Sequence, residues 1–164
     1  MTILTHLLAD HHRLRTLIAR LEKASGERRQ QVLADLGHEL AVHASLEEDL
    51  LYPLLERTPL KKKARHAYEE HHLIDVQFDE LLVLDSGDPV LGDKIHVLQE
   101  ILTHHLDEEE EDVFPMVEKH LSQAGFAALD VDYLAHRETL EAEFSAHPPK
   151  SCQAWAERRA LKQR

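Results

Sequence analysis

Apolar residues recur every three or four positions along most of this chain, which is the spacing of one buried helix face. Four long segments show the pattern, and breaks containing glycine or proline separate them. Proline interrupts the second and fourth segments at Pro53 and Pro115, where we expect a kink or a helix end. The segments predicted to be helical are residues 2–24, 27–55, 60–84 and 90–121. The pattern predicts an all-α four-helix bundle built from two antiparallel hairpins.

A fifth helix is predicted after the bundle, over residues 127–146, following a break at residues 122–125. Its apolar face is expected to pack on the bundle as an additional C-terminal helix. The chain is therefore divided into a bundle over residues 1–121, an additional helix over residues 122–147, and a polar tail over residues 148–164. The tail contains too little apolar surface to be held in place by burial.

Histidine and glutamate occupy positions on the predicted buried faces where leucine or isoleucine would continue the pattern. The face of the fourth helix consists of Leu91, Ile95, Leu98, Leu102, His105, Glu109 and Met116. The second helix has the same His-x-x-x-Glu pair, and its face is predicted to continue through Leu50 and Leu54. The third helix is predicted to bury Leu82. The polar residues on the four buried faces are His11, His43, Glu47, His71, His105 and Glu109.

The first two helices and the next two are two copies of one hairpin. The lone histidine precedes the paired histidine by 32 residues in the first copy and by 34 in the second. The paired histidine precedes a proline by ten residues in both copies. This interval selects His105 rather than His104, and Glu109 from the acidic run that surrounds it.

Four imidazoles and two carboxylates are thus expected to converge inside the bundle, since residues at i and i+4 share a helix face. Two facing carboxylates in a core raise each other's pKa unless a cation pairs with them. This donor set suits iron, manganese or zinc better than calcium or magnesium. Two carboxylates suffice to bridge two ions, and four histidines supply two nitrogens to each. Both ions would have fewer than six protein ligands, which leaves an open position for a small diatomic or peroxide ligand.

Other polar residues offer alternatives to this set. Glu108 and Glu110 are fallback ligands within the acidic run, and Asp75 follows His71 by four residues as a candidate seventh ligand. His72 and His104 adjoin predicted ligands and are candidates for supporting them. The remaining histidines are expected at the surface: His6, His12, His38, His66, His96, His120 and His147.

Composition excludes several classes of protein. The 164 residues include 14 histidines and carry a formal net charge of −12, which argues against nucleic acid and anionic membranes as partners. A single cysteine, Cys152, rules out an internal disulfide and a cysteine-rich metal site. The sequence has no apolar run long enough to span a membrane and no signal-peptide pattern at its start. We therefore expect a soluble, cytoplasmic protein.

The doubled pattern resembles the hemerythrin-like, or HHE cation-binding, domain family over about residues 1–121. The resemblance implies an up-down-up-down four-helix bundle with a non-haem di-iron centre of two iron ions. By position it implies that His11, His43, Glu47, His71, His105 and Glu109 are iron ligands, with both glutamates bridging. Two departures distinguish the chain from oxygen-carrying hemerythrins. Asp75 stands where those proteins have a further histidine, and the fourth-helix carboxylate follows its histidine by four residues rather than five. Both departures resemble the bacterial single-domain branch.

The family resemblance implies a binding protein that carries or senses dioxygen or a related small ligand such as nitric oxide or peroxide, or that acts in iron handling and oxidative-stress protection. A di-iron enzyme that consumes peroxide or nitric oxide is the alternative, and a structural zinc-binding bundle is the third possibility. A ferritin-like oxidase is disfavoured because its Glu-x-x-His motif occurs only once here, at Glu69 and His72. A small diatomic ligand such as dioxygen is the expected partner, and no protein partner is indicated.

Overall fold

In the computed structural model, residues 2–146 are described, and all regular structure within that range is helical. Two turns of π-helix interrupt the second and fourth helices of the bundle. The elements in chain order are α1 (Ile3–Lys23), α2 (Gly26–Leu46), a first π turn (Glu47–Leu51), α3 (Tyr52–Glu56), α4 (Lys61–Leu82), α5 (Leu91–Glu108), a second π turn (Glu109–Val113), α6 (Phe114–His120) and α7 (Gln123–Ala146).

The helices close into a four-membered bundle, because α1 packs on α2, α2 on α4, α4 on α5, and α5 on α1. Helix α7 lies outside this ring against α1 and α2. Tyr133, Leu140 and Phe144 of α7 are buried in that contact, as their spacing on one helix face requires. The predicted all-α, up-down-up-down four-helix bundle with an additional C-terminal helix is confirmed.

Several predicted boundaries were wrong. Helix α7 begins at Gln123 rather than at residue 127, and Gly125, assigned to the break, lies within its first turn. Leu82 was predicted to be buried but is 41% exposed, since it lies at the end of α4. The tail predicted over residues 148–164 and its Cys152 lie outside the described residues.

Each bundle proline follows a π turn rather than ending its helix. Proline has no N–H to donate and its ring collides with the carbonyl four residues earlier, so the preceding turn widens. Pro53 and Pro115 occupy the second position of α3 and α6, directly after the two π turns. The helices then continue, to Glu56 and to His120.

The extra residue in each π turn rotates the helix face that follows it. Leu51 and Leu55 are buried, whereas Leu50 and Leu54, which an uninterrupted α-helix would bury, are only partly buried. Met116 of the second copy is likewise only partly buried. Beyond each glutamate the predicted buried faces were therefore wrong by one residue.

The bundle core is divided into two apolar clusters by a polar layer. Along α1, Leu4 and Leu7 belong to one cluster and Leu14 and Ile18 belong to the other. His11 lies between them, and the histidines and glutamates of the other helices are buried at the same level. Apolar packing on both sides thus holds the polar layer in place.

Within residues 2–146, no helix has the length and the hydropathy that crossing a membrane requires.

Candidate metal centre

The six residues predicted to be ligands are all buried in the polar layer. His11, Glu47 and His105 are 0% exposed, and the other three are at most 3% exposed. Their donor atoms form two overlapping groups, each of which could hold a metal ion. One group contains His43, Glu47, His71 and His105, and the other contains His11, His43, Glu47 and Glu109.

Each glutamate lies between histidines of both hairpins. Oε2 of Glu47 is 3.2 Å from Nε2 of His43 and 3.3 Å from Nε2 of His71. Oε2 of Glu109 is 3.4 Å from Nε2 of His11 and 3.7 Å from Nε2 of His105. A carboxylate placed between donors from two hairpins is suited to bridge two ions.

Several donor atoms of this layer have no hydrogen-bond partner although they are fully buried. They are Nε2 of His11, both ring nitrogens of His43, Oε1 of Glu47 and Oε2 of Glu109. Such groups cost free energy unless something satisfies them, and a metal ion would do so. Nε2 of His71 lies 3.0 Å from Nε2 of His105. Two nitrogens bound at about 2.1 Å to one ion at a right angle would be about 3 Å apart. The residues present therefore fit a metal centre.

A second set of carboxylates holds the outer nitrogens of the histidines. Nδ1 of His11 is 2.8 Å from Glu110, Nδ1 of His71 is 2.9 Å from Glu48, and Nδ1 of His105 is 3.0 Å from Glu70. An ionised carboxylate only accepts, so each Nδ1 carries a proton and each Nε2 faces the centre. Carboxylate–histidine pairs of this kind orient imidazoles that bind metals. Sequence reasoning missed these roles, although Glu48 and Glu110 follow the two site glutamates directly and occupy equivalent positions in the repeat.

The fourth histidine differs because helix α7 engages its carboxylate. Asp10 lies 3.9 Å from Nδ1 of His43, beyond hydrogen-bond distance. Instead Asp10 accepts hydrogen bonds from Tyr133 at 2.6 Å and from Arg137 at 2.7 Å, and it also pairs with Arg13. Hydrogen bonds from helix α7 therefore take up the carboxylate of Asp10, which does not reach Nδ1 of His43.

Tyr52 is a further member of the centre that sequence reasoning missed. Its buried hydroxyl donates to Glu109 at 2.8 Å and lies 3.1 Å from Glu47 and 3.2 Å from His71. The π turn brings this side chain beneath Glu47, five residues earlier. At the equivalent position of the second copy, the ring of Phe114 stacks on His11 with centroids 5.4 Å apart. The Tyr-Pro and Phe-Pro pairs of the repeat were the available signal.

The charges of the metal-free centre are balanced by protons. Burial lowers the pKa of His11, but the carboxylates of Glu109 and Glu47, at 3.4 and 3.9 Å from its Nε2, outweigh burial and raise that pKa to about 10. The pKa of His71 is likewise raised to about 10, because Glu47 and Glu48 outweigh burial. Burial and two neighbouring imidazolium charges lower the pKa of His43 to about 4.

The pKa of Glu47 differs from the expectation for two facing carboxylates. Burial raises the pKa of Glu47, but His43, His11 and His71 outweigh burial and hold that pKa well below its usual value. The expected mutual rise of two facing carboxylate pKa values is therefore wrong for Glu47, because imidazoles surround it.

The residues considered as alternative or supporting ligands lie outside the two donor groups of the centre. His104 and His72 are exposed, which makes direct support of the centre by His72 a wrong expectation. Glu108 pairs with Lys63 at 2.6 Å rather than with the centre. Glu110 supports His11 from outside, as described above. Asp75 is buried but belongs to neither donor group of the centre.

Comparisons with known proteins agree with this geometry. A crystal structure of a hemerythrin HHE cation-binding domain-containing protein from Mycobacterium kansasii is similar to this chain, with a TM-score of 0.83 and 25% identity. The match covers 97% of this chain and 99% of that one. A protein from Nostoc sp. named DNA nickase is 22% identical over 123 residues. That match covers 74% of this chain but 35% of the relative, so the chain spans about a third of the length of that curated relative.

The family match covers most of the bundle and both copies of the repeat. The hemerythrin HHE cation-binding domain matches residues 2–117, from the first turn of α1 to the middle of α6. On the strength of this match, and of a fold shared with another family member, the chain belongs to the hemerythrin HHE cation-binding domain family.

Proposed function

We propose that the polar layer holds a non-haem di-iron centre. In this proposal His11 and His43 bind one iron ion, His71 and His105 bind the other, and the two buried glutamates bridge them. The observation that carries it is the set of buried donor atoms without hydrogen-bond partners. Four imidazoles with two carboxylates form a donor set that suits iron. The supporting carboxylates fix the imidazole orientation that metal binding needs.

We further propose that the centre binds dioxygen or a related small ligand such as nitric oxide. Bound iron supplies redox chemistry and a coordination position for such a ligand. Six protein ligands are fewer than two octahedral ions accept, so a small molecule can complete the shell. The protein contributes a dry site, because apolar clusters lie on both sides of the layer. Glu48, Glu70 and Glu110 keep the protonated Nδ1 atoms outward.

Iron content and optical spectra test both proposals. Protein produced with ample iron should contain about two iron ions per chain by elemental analysis. After anaerobic reduction, exposure to air should produce charge-transfer bands, and degassing should reverse them. A reproducible content near one ion, or zinc alone under iron-replete conditions, would contradict the di-iron centre and favour a structural zinc-binding bundle. Bands that never reverse would contradict reversible dioxygen binding.

A di-iron enzyme that consumes peroxide is the second candidate, and Tyr52 is the observation that favours it. Its hydroxyl is a buried proton donor within the polar layer, 2.8 Å from Glu109. Burial and the charges of Glu109 and Glu47 raise its pKa well above the usual value, so the proton stays on the oxygen. Such a group can donate a proton or a hydrogen bond to a bound ligand, which peroxide turnover uses.

The Tyr52→Phe variant distinguishes the two candidates, because it removes the hydroxyl and keeps the ring. Steady peroxide consumption by the iron-loaded protein, lost in Tyr52→Phe at unchanged iron content, would establish the enzymatic function. Reversible ligand binding without peroxide consumption in either protein would establish the binding function. The same pair of proteins tests consumption of nitric oxide. A role in iron handling or oxidative-stress protection is compatible with either outcome.

We extend no DNA-directed activity from the relative in Nostoc sp. to this chain. The match covers about a third of that protein, and the present chain carries a net charge of −12, which repels a polyanion. A cytoplasmic location remains a prediction from the sequence.

A further inference from the structure

A second group of histidines and glutamates lies at the surface next to the buried centre. His66 and Glu70 are one helical turn apart on α4, and His104 and Glu108 are one turn apart on the adjoining α5. Each pair has the His-x-x-x-Glu spacing of the buried pairs. Two such pairs therefore occur on two helices that pack against each other.

Three of the four side chains place donor atoms close together, and His104 lies beside both glutamates. Nε2 of His66 lies 3.4 Å from Oε1 of Glu70 and 3.7 Å from Oε2 of Glu108. Nε2 of His104 lies 3.7 Å from Oε1 of Glu70 and 3.9 Å from Oε2 of Glu108. Donor atoms of His66, Glu70 and Glu108 are close enough to one another to hold an ion. His104 lies outside that group, but its side chain is 71% exposed, so it has room to turn towards the two carboxylates as a fourth donor.

We propose that these residues form an outer site for one divalent transition-metal ion, separate from the buried centre. Two imidazoles with two carboxylates form a donor set that suits zinc better than calcium or magnesium. Ligands at about 2.0–2.1 Å around a tetrahedral ion are separated by about 3.3 Å. The four imidazole–carboxylate separations of 3.4–3.9 Å would contract to that value with small movements of the two exposed imidazoles.

The two copies of the hairpin differ in a way that supports this assignment. Asp10 of the first copy pairs with two guanidinium groups and receives a hydrogen bond from Tyr133. Within the described residues, its counterpart Glu70 has only imidazoles as ion-pair partners: His66, His104 and His105. Arginine side chains and helix α7 cover Asp10, whereas Glu70 lies beneath two exposed histidines that can bind a metal.

Glu70 connects the outer site to the buried one. Its Oε2 is 3.0 Å from Nδ1 of His105, while its Oε1 faces His66 and His104. An ion on Oε1 withdraws negative charge from the carboxylate that supports His105. The outer ion therefore weakens the hold of Glu70 on that imidazole. This coupling rests on the proposed di-iron centre, whereas binding of the outer ion does not.

Lys63 competes with a metal ion at this site. Its ammonium group is 2.6 Å from Oε1 of Glu108 and 2.8 Å from Asp112. It neutralises part of the charge that would attract an ion. Replacing it by methionine keeps most of the side-chain length and removes the charge. Lys63→Met should therefore tighten metal binding at the outer site.

The test uses iron-loaded protein titrated with Zn²⁺ in a calorimeter. Wild-type protein should bind one Zn²⁺ ion beyond its iron. The double variant His66→Ala with His104→Ala should lose that event, or weaken it by more than the about 10–100-fold that loss of a supporting group costs. Both side chains are more than half exposed, so the fold and the iron content should not change. Lys63→Met should bind the ion more tightly than wild type.

A matched control is available in the same chain. His96 and Glu100 form an exposed pair with the same spacing, 3.4 Å apart. The His96→Ala variant should keep the extra Zn²⁺ ion. The proposal is overturned if wild-type protein binds no extra ion, if the double variant binds it equally well, or if His96→Ala loses it equally. Failure of iron loading would instead contradict the buried centre, while the difference in total Zn²⁺ between wild type and the double variant would still test the outer site.

Discussion

Loading the centre with metal should release protons, and the structure sets their number. In the metal-free chain His11 and His71 have pKa values of about 10, so both are imidazolium ions at pH 7. His43, with a pKa of about 4, is already neutral. A metal ion binds only neutral imidazole. Filling the buried centre at pH 7 should therefore displace about two protons per chain.

The same reasoning gives the pH dependence of metal affinity. While two protons are displaced, the overall binding constant for both ions should rise about a hundredfold per pH unit. The rise should continue towards pH 10, where the two imidazoles lose their protons without metal. As pH falls, the metal must displace these two protons against a rising proton concentration, so acid should strip the metal from the centre.

Calorimetric titrations with Fe²⁺ under anaerobic conditions measure the released protons. The observed heat is measured in buffers of different ionisation enthalpy. The slope of a plot of heat against ionisation enthalpy gives the number of protons released per chain. Protein already loaded with iron, titrated in the same way, supplies the baseline for exposed sites. Uptake of metal with no proton release at pH 7, together with an affinity that does not vary with pH, would refute the assigned charges of the centre.

Four further predictions concern the stability of the chain and the roles of single residues. Because the pKa values of His11 and His71 are raised in the folded state, protonation of these imidazoles stabilises the metal-free fold. This stabilisation is complete below about pH 6.5 and is lost as pH rises towards 10, so the melting temperature of the metal-free chain should fall over that range. The metal-loaded chain should melt well above the metal-free chain, since binding to the folded state stabilises it; equal melting temperatures would contradict a site in the core. His105→Ala should lose at least one metal ion per chain and the charge-transfer bands, whereas His104→Ala should keep both buried ions. If His104→Ala empties the buried centre instead, the assigned phase of α5 is incorrect. Glu48→Gln weakens the acceptor 2.9 Å from His71 and should lower metal affinity about 10–100-fold with little change in fold, as equilibrium dialysis and circular dichroism would show.

The sequence by itself determined the bundle and the membership of its polar layer. Steps of three and four residues determined which helix faces are buried, because burial of apolar area dominates folding. His11, His43, Glu47, His71, His105 and Glu109 interrupted those faces and were placed by the same periodicity. That placement required only helix geometry. It held because His11 and His71 lie on helices without a π turn, while the other four residues precede a π turn or begin it.

The tertiary structure alone decided what surrounds those residues. Periodicity assumes 3.6 residues per turn, so it could not anticipate the π turns that shift burial from Leu50 to Leu51 and bring Tyr52 beneath Glu47. Helix periodicity also could not show which side chains of neighbouring helices contact each other. Nothing local to Glu48 indicates that it faces His71, since that contact depends on which helices are neighbours in the bundle.

Packing also decided why the equivalent carboxylates of the two hairpins have different partners. Asp10 and Glu70 are equivalent in the repeat and precede equivalent histidines. Helix α7 covers the first and gives it Tyr133 and Arg137, whereas the second remains beside His66 at the surface. The physical reason is that a repeated sequence fixes the residues that face inward, while charge and access depend on what packs outside them.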